Sequence, residues 1–150
     1  MHDFEGTLPR ARFFEWPQHF TITPLFIHTG MERDDVIDHI IDTVNASSPF
    51  YIEAGEQDLY GENNDRPVTR ILDQNGKLHE LHTSLITKLG GLGCEFDGLQ
   101  YSQEKYSPHF RQKRADILAK RPYLVNTVTI AEKIPKGKKK HKRIIKKIYL

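Results

Sequence analysis

Two histidines, His19 and His109, each lead a segment in which one phenylalanine separates the imidazole from a second polar side chain: His19-Phe20-Thr21 and His109-Phe110-Arg111. Making or breaking a phosphodiester without a metal needs a base on one side of phosphorus and an acid on the other. Imidazole serves both roles, because its reference pKa of ~6.5 lets either protonation state exist near neutral pH. The non-bridging oxygens need donors as well, and a hydroxyl or a guanidinium supplies them. On a β-strand, residues two apart point to one face, so the ring and its partner would enter a common cleft. Which histidine begins protonated is left open by the sequence.

Other residues of the same types compete for attention and fit other roles better. His82-Thr83-Ser84 repeats the spacing but falls inside a helical pattern, where residues two apart point ~200° apart. Flanked by Leu78, Leu85 and Ile86, His82 is expected to be a core or boundary histidine. His79 and His82 stand three apart, as metal ligands can, yet no third ligand follows at a recognisable spacing, so no metal is expected. Cys94, the single cysteine, allows no intramolecular disulfide and reads as packing. His28 and His39 carry no partner pattern, with His39 expected on the polar side of its helix. For Arg111, pairing with an acid such as Glu104 is the ordinary alternative to phosphate binding.

The elements that would position these residues follow from periodicity. His19–Ile27 is rich in β-branched and aromatic residues and reads as a strand bent at Pro24. Val36, Ile37, Ile40, Ile41 and Val44 form one apolar stripe, predicting a helix over Arg33–Asn45 with acids at its positive end. Strands are expected at Phe50–Leu59 and Pro67–Leu72, joined by the turn-rich Gly61–Asp65. A second helix over Lys77–Leu89 turns Leu78, Leu81, Leu85 and Leu89 inward, with Gly90-Gly91 as its stop. Then come a short strand at Tyr106–Gln112, a helical turn at Ala115–Lys120, and strands at Arg121–Ile134 and His141–Leu150 joined by Pro135–Lys140. Without regular βαβ alternation, this order favours an α+β fold with largely antiparallel sheets.

The chain of 150 residues is expected to form one domain, 1–150, with 1–15 an irregular arm. Its 37% hydrophobic and 28% charged residues suit a globular protein. No apolar run approaches the ~20 residues of a membrane span, and the first residues lack a signal-peptide pattern, so a cytoplasmic location away from membranes is expected. The net charge of +2 conceals an asymmetry. Nine of the 22 Lys and Arg residues lie within 133–147, and no acid follows Glu132. This basic hairpin either meets phosphates or is a solvated tip whose lysines block edge pairing. Its candidate RNA-backbone contacts are Lys138, Lys139, Lys140, Lys142 and Arg143.

Taken together, the two histidine motifs, the Ser107-Pro108-His109-Phe110 context and the order of elements from Trp16 to Leu150 resemble the two-histidine phosphoesterase superfamily. The nearest likeness is to its 2′-5′ RNA ligase-like and RNA 2′,3′-cyclic phosphodiesterase group. The resemblance implies two pseudo-symmetric lobes of largely antiparallel sheet, helices packed outside and an active-site cleft between. It implies His19 and His109 as a catalytic acid–base pair, Thr21 and Arg111 on the substrate phosphate, and no cofactor. The implied substrate is RNA or a nucleotide with a cyclic or 2′-5′ phosphodiester, without an obligate protein partner. Arg111 stands where the family usually has Thr or Ser. Only 18 residues precede His19, so the first lobe is expected to be trimmed or completed differently. A non-catalytic RNA-end binding module, or a fold partner without a nucleotide ligand, would use the same residues differently.

Overall fold

The computed structural model describes residues 19–98, 103–111, 122–136 and 139–150, with the side chains of 103, 111, 134–136 and 139–141 outside the description. The fold is α+β with antiparallel sheets. In chain order its elements are β1 (Phe26–Ile27), α1 (Arg33–Asn45), β2 (Phe50–Tyr60), β3 (Arg66–Leu72), α2 (Lys77–Gly91) and β4 (Glu95–Phe96). They are followed by a 3-10 turn (Gln103–Lys105), β5 (His109–Arg111), β6 (Tyr123–Val125), β7 (Thr127–Lys136) and β8 (Lys139–Tyr149). Strands pair as β5-β3-β2-β6, as a β7-β8 ribbon and as a short β1-β4 pair.

Both helices form where the apolar spacing requires them. α1 has the predicted bounds and buries Val36, Ile40 and Val44, one residue per turn, with Asp34 and Asp35 in its first turn. α2 buries Leu78, Leu81, Leu85 and Leu89, together with His82 and Ile86. Gly76 opens α2 and has no side chain to cap it. The Asp73 carboxylate does so instead, accepting from the Leu78 and His79 amides at 3.1 and 2.8 Å. The predicted stop at Gly90-Gly91 falls inside the last turn. The chain leaves the helix at Gly93, whose φ of +86° is the left-handed conformation that ends helices, with Cys94 N–H returning to the Leu89 carbonyl.

One apolar core joins these parts. It takes Val36, Ile40 and Val44 from α1, the leucines of α2, Phe50 and Ile52 from β2, Ile71 from β3, and Phe110 from β5. Val125, Val128 and Ile148 bring in β6 and the root of the ribbon. Cys94 is buried and packs here, as its sequence context implied, and burial pushes its thiol pKa up.

Four expectations need correction. His19–Leu25 is not a strand, and only Phe26–Ile27 pairs, with Phe96 and Glu95. The Thr21 and Ile22 carbonyls are taken by side chains, and Pro24 has no amide to donate, so ladder pairing has little to work with. The predicted Arg121–Ile134 strand is divided at Asn126: β6 joins the four-stranded sheet and β7 joins the ribbon, with the Asn126 carbonyl accepting from Leu150 N–H. The joining segment Pro135–Lys140 is mostly ladder, with Pro135 opposite Lys140 and Lys136 opposite Lys139. Of the strand expected at Tyr106–Gln112, Tyr106–Pro108 is not strand and His109–Arg111 is, while Gln112 lies outside the described residues. The helical turn at Ala115–Lys120 and the arm at 1–15 lie outside the described residues. Among the described residues, no helix is long and apolar enough to cross a membrane.

Candidate active site

His109 stands on β5, opposite Arg70 of β3, with Phe110 opposite Thr69 and Arg111 opposite Val68. Alternation along the strand turns Phe110 into the core, where it and Thr69 are buried, and puts His109 on the other face beside Arg70. The Nδ1–H of His109 donates to the Ser107 carbonyl at 2.9 Å. That bond fixes the neutral tautomer and leaves Nε2 as the nitrogen able to take or give a proton at a substrate.

Three further groups surround this ring. The edge of Tyr60 meets it, with ring centres 4.6 Å apart and planes at 69°. The Tyr60 hydroxyl lies 2.5 Å from Ser107 Oγ and accepts from Arg70 Nε at 3.4 Å. Arg70 also pairs with Asp58 through Nε, at 3.2 Å. The hydrogen bond that Arg70 donates to Tyr60 and the electrostatic pull of that phenol, then the nearby Asp58, hold Arg70 above the ordinary arginine pKa, so it stays charged. Tyr60 and Arg70 were not singled out from the sequence. Only the register between β3 and β5 reveals that Arg70 faces His109.

His19 and Thr21 are both exposed. The two histidine motifs meet through their middle residues: Phe20 packs edge-on against Phe110, with centroids 5.5 Å apart and planes at 85°. Backbone contacts reinforce that approach. The Tyr106 hydroxyl donates to the Thr21 carbonyl at 2.8 Å, and His82 Nδ1–H donates to the Ile22 carbonyl at 2.5 Å. The His82 and Tyr106 rings stack at 3.9 Å, 1° from parallel, so these two donors form one unit. His82 is thus a core histidine, 0% exposed. Burial lowers its pKa, the Ile22 carbonyl opposes that, and neighbouring His79 adds to the lowering. Burial, with a smaller push from Asp73, raises the Tyr106 pKa.

His79 donates from Nδ1 to Asp73 at 2.6 Å, so both α2 histidines spend a ring nitrogen within the fold. No group of three His, Cys, Asp or Glu side chains positioned for a metal occurs among the described residues. His28 is half-buried with Nδ1 unpartnered, and His39 is half-buried on α1, outside the row of its buried residues.

Of the other predicted site residues, Arg111 has its backbone in β5 while its side chain lies outside the description. Lys138 lies outside the described residues. Lys139 and Lys140 are ladder residues of β8, and Lys142 is exposed opposite Lys133. Arg143 Nη2 pairs with Glu132 directly across the ribbon, and Glu132 also holds Arg33 at 3.4 Å. The carboxylate opposite it makes Arg143 a part of the ribbon's own ion-pair network. No family model, curated protein or solved structure matches the chain.

Proposed function

We propose that this chain is a metal-independent phosphoesterase acting on RNA ends, hydrolysing 2′,3′-cyclic phosphodiesters or making and breaking 2′-5′ linkages. The observation that carries the reading is the contact of Phe20 with Phe110, which joins the two histidine-led segments while His109 occupies a polar face. The resemblance of both motifs to the two-histidine phosphoesterases supplies the reaction class. In this reading the His19 and His109 segments belong to two related lobes whose cleft receives the phosphate.

In the hydrolytic direction, one histidine takes a proton from water as its oxygen attacks phosphorus. The bond from phosphorus to a ribose oxygen breaks, and the other histidine gives that leaving oxygen its proton. The ring nitrogen for this work on His109 is Nε2, because Nδ1–H is committed to Ser107. Thr21 and Arg111 hold the non-bridging oxygens, and Arg111, with its fork of donors, replaces a hydroxyl. The exposed lysines of the ribbon extend the contact to flanking phosphates.

The test is turnover of a 2′,3′-cyclic nucleotide in EDTA by the wild-type protein and by His19→Ala and His109→Ala. Each substitution should cost about 10²-fold or more, as losing a general acid or base does. The kcat/KM profile should be bell-shaped around neutrality. Tight binding without turnover would instead make the chain an RNA-end binding module. Neither binding nor turnover would end the proposal.

A further inference from the structure

We infer that Arg70, seated on Tyr60 and Asp58 beside His109, is a phosphate-binding residue whose ligand is a phosphomonoester or cyclic phosphodiester at the end of a nucleotide. The inference deepens the proposed function and rests on it for the reaction, though not for the binding.

Arg70 and His109 are directly opposite in an antiparallel pair, so their side chains leave the sheet on one face, Cβ atoms ~5 Å apart. A long arginine in that position has many rotamers, and a phosphate site needs few. Here the choice is narrowed by a closed chain of contacts. The Ser107 carbonyl holds His109, the Ser107 hydroxyl meets Tyr60, the Tyr60 hydroxyl accepts from Arg70 Nε, and the Tyr60 ring abuts His109. Moving any one of the four side chains disturbs the next.

The hydrogen bond and the ion pair of Arg70 both fall on Nε, at the base of the guanidinium fork. The terminal amino groups carry the remaining four of its five N–H donors, and the side chain is 52% exposed. Planar paired donors of this kind match two oxygens of one phosphate. With Nε2 of His109 on the same face, one phosphate can meet the fork and the imidazole together. Asp58 neutralises part of the charge, so the site suits a ligand that is also held elsewhere, by the second histidine segment. The competing explanation is an ordinary exposed Arg70–Asp58 ion pair, which would contribute little to stability and nothing to binding.

The experiment is an NMR titration of the His109 ring signals with inorganic phosphate and with adenosine 2′-monophosphate, for the wild type, Arg70→Ala and Arg70→Lys. Circular dichroism confirms that each variant is folded. Both ligands should shift and saturate the His109 signals in the wild type. Arg70→Ala should weaken binding about tenfold or more, as removal of one charge-assisted paired contact does. Arg70→Lys, which keeps charge but not the fork, should lie between. Equal affinity in Arg70→Ala, or no effect of either ligand on His109, would overturn the inference. Turnover of a 2′,3′-cyclic nucleotide is measured in parallel. Arg70-dependent binding without any turnover would sink the enzymatic reading and leave this site standing. Turnover with kcat and KM unchanged in Arg70→Ala would do the reverse.

Discussion

Replacing His82 tests whether the fold, not the chemistry, claims this histidine. His82→Ala removes the donor to the Ile22 carbonyl and the ring stacked on Tyr106. Depriving a shielded carbonyl of its donor costs ~1–3 kcal/mol. An aromatic pair adds ~0.5–1.5 kcal/mol, before any cavity at a site with 0% exposure. The total is about 3 kcal/mol, and a domain of this size loses ~2–4 °C per kcal/mol. Thermal unfolding by circular dichroism at pH 7.5 should therefore show a Tm lower by roughly 10 °C.

The pH dependence gives a second readout. The folded pKa of His82 is depressed, so between that value and the ordinary ~6.5 the unfolded chain binds a proton that the native state refuses. Its contribution is fully present above pH ~6.5 and is lost as pH falls toward the folded value. His82→Phe, which keeps a ring but cannot titrate, should lose that part of the acid sensitivity. A Tm within 2 °C of wild type (a threshold of about 1 kcal/mol) for His82→Ala would refute the reasoning.

Two other outcomes follow from the same framework of bonds. Asp73→Ala removes the acceptor for the Leu78 and His79 amides and the His79 ring, and should lower stability in urea by about 1–2 kcal/mol; an unchanged midpoint would mean that water caps α2 equally well. Replacing Lys139, Lys140 and Lys142 with Ala should flatten the dependence of log K on log salt for single-stranded RNA, by about 0.7 for each phosphate no longer neutralised, while barely changing affinity for a cyclic mononucleotide; an unaltered slope would assign these lysines to solubility.

The parts of the fold that were legible in sequence are those fixed by local periodicity. Val36, Ile40 and Val44, or Leu78, Leu81, Leu85 and Leu89, define a helix face without help from distant residues. The strand at His109 was legible too, since Pro108 and a buried Phe110 leave few alternatives. The segment at His19 was not. Its backbone is held by Tyr106 and His82, 85 and 60 residues from their acceptors, and no local pattern announces such partners. Tyr60 and Arg70 escaped notice for a related reason. An irregularity between Ala54 and Gln57 sets the phase of β2 against β3, so the face Tyr60 takes depends on a bulge and on cross-strand register. The ribbon outran its expected length because lysines, poor strand residues by composition, pair well enough across β7 and β8 once Val128, Ile144 and Ile148 anchor its root.

The middle residues of the two motifs connect packing to chemistry. Phe110 is buried, and strand alternation then obliges His109 to leave the core on the side of Arg70. Phe20 reaches the same core without a strand, because His82 and Tyr106 draw the neighbouring carbonyls toward α2. The second motif is thus positioned by backbone pairing and the first by side chains, which are removable one at a time. Loosening the His82–Tyr106 unit would displace His19 and Thr21 while leaving His109, Tyr60 and Arg70 in register. Conversely, a change at Tyr60 or in the Ser107 side chain would alter the tilt of His109, whose tautomer the Ser107 backbone carbonyl keeps, and leave the His19 segment fastened. This separation makes the contributions of the two histidines experimentally divisible, although a shared aromatic contact holds their segments together.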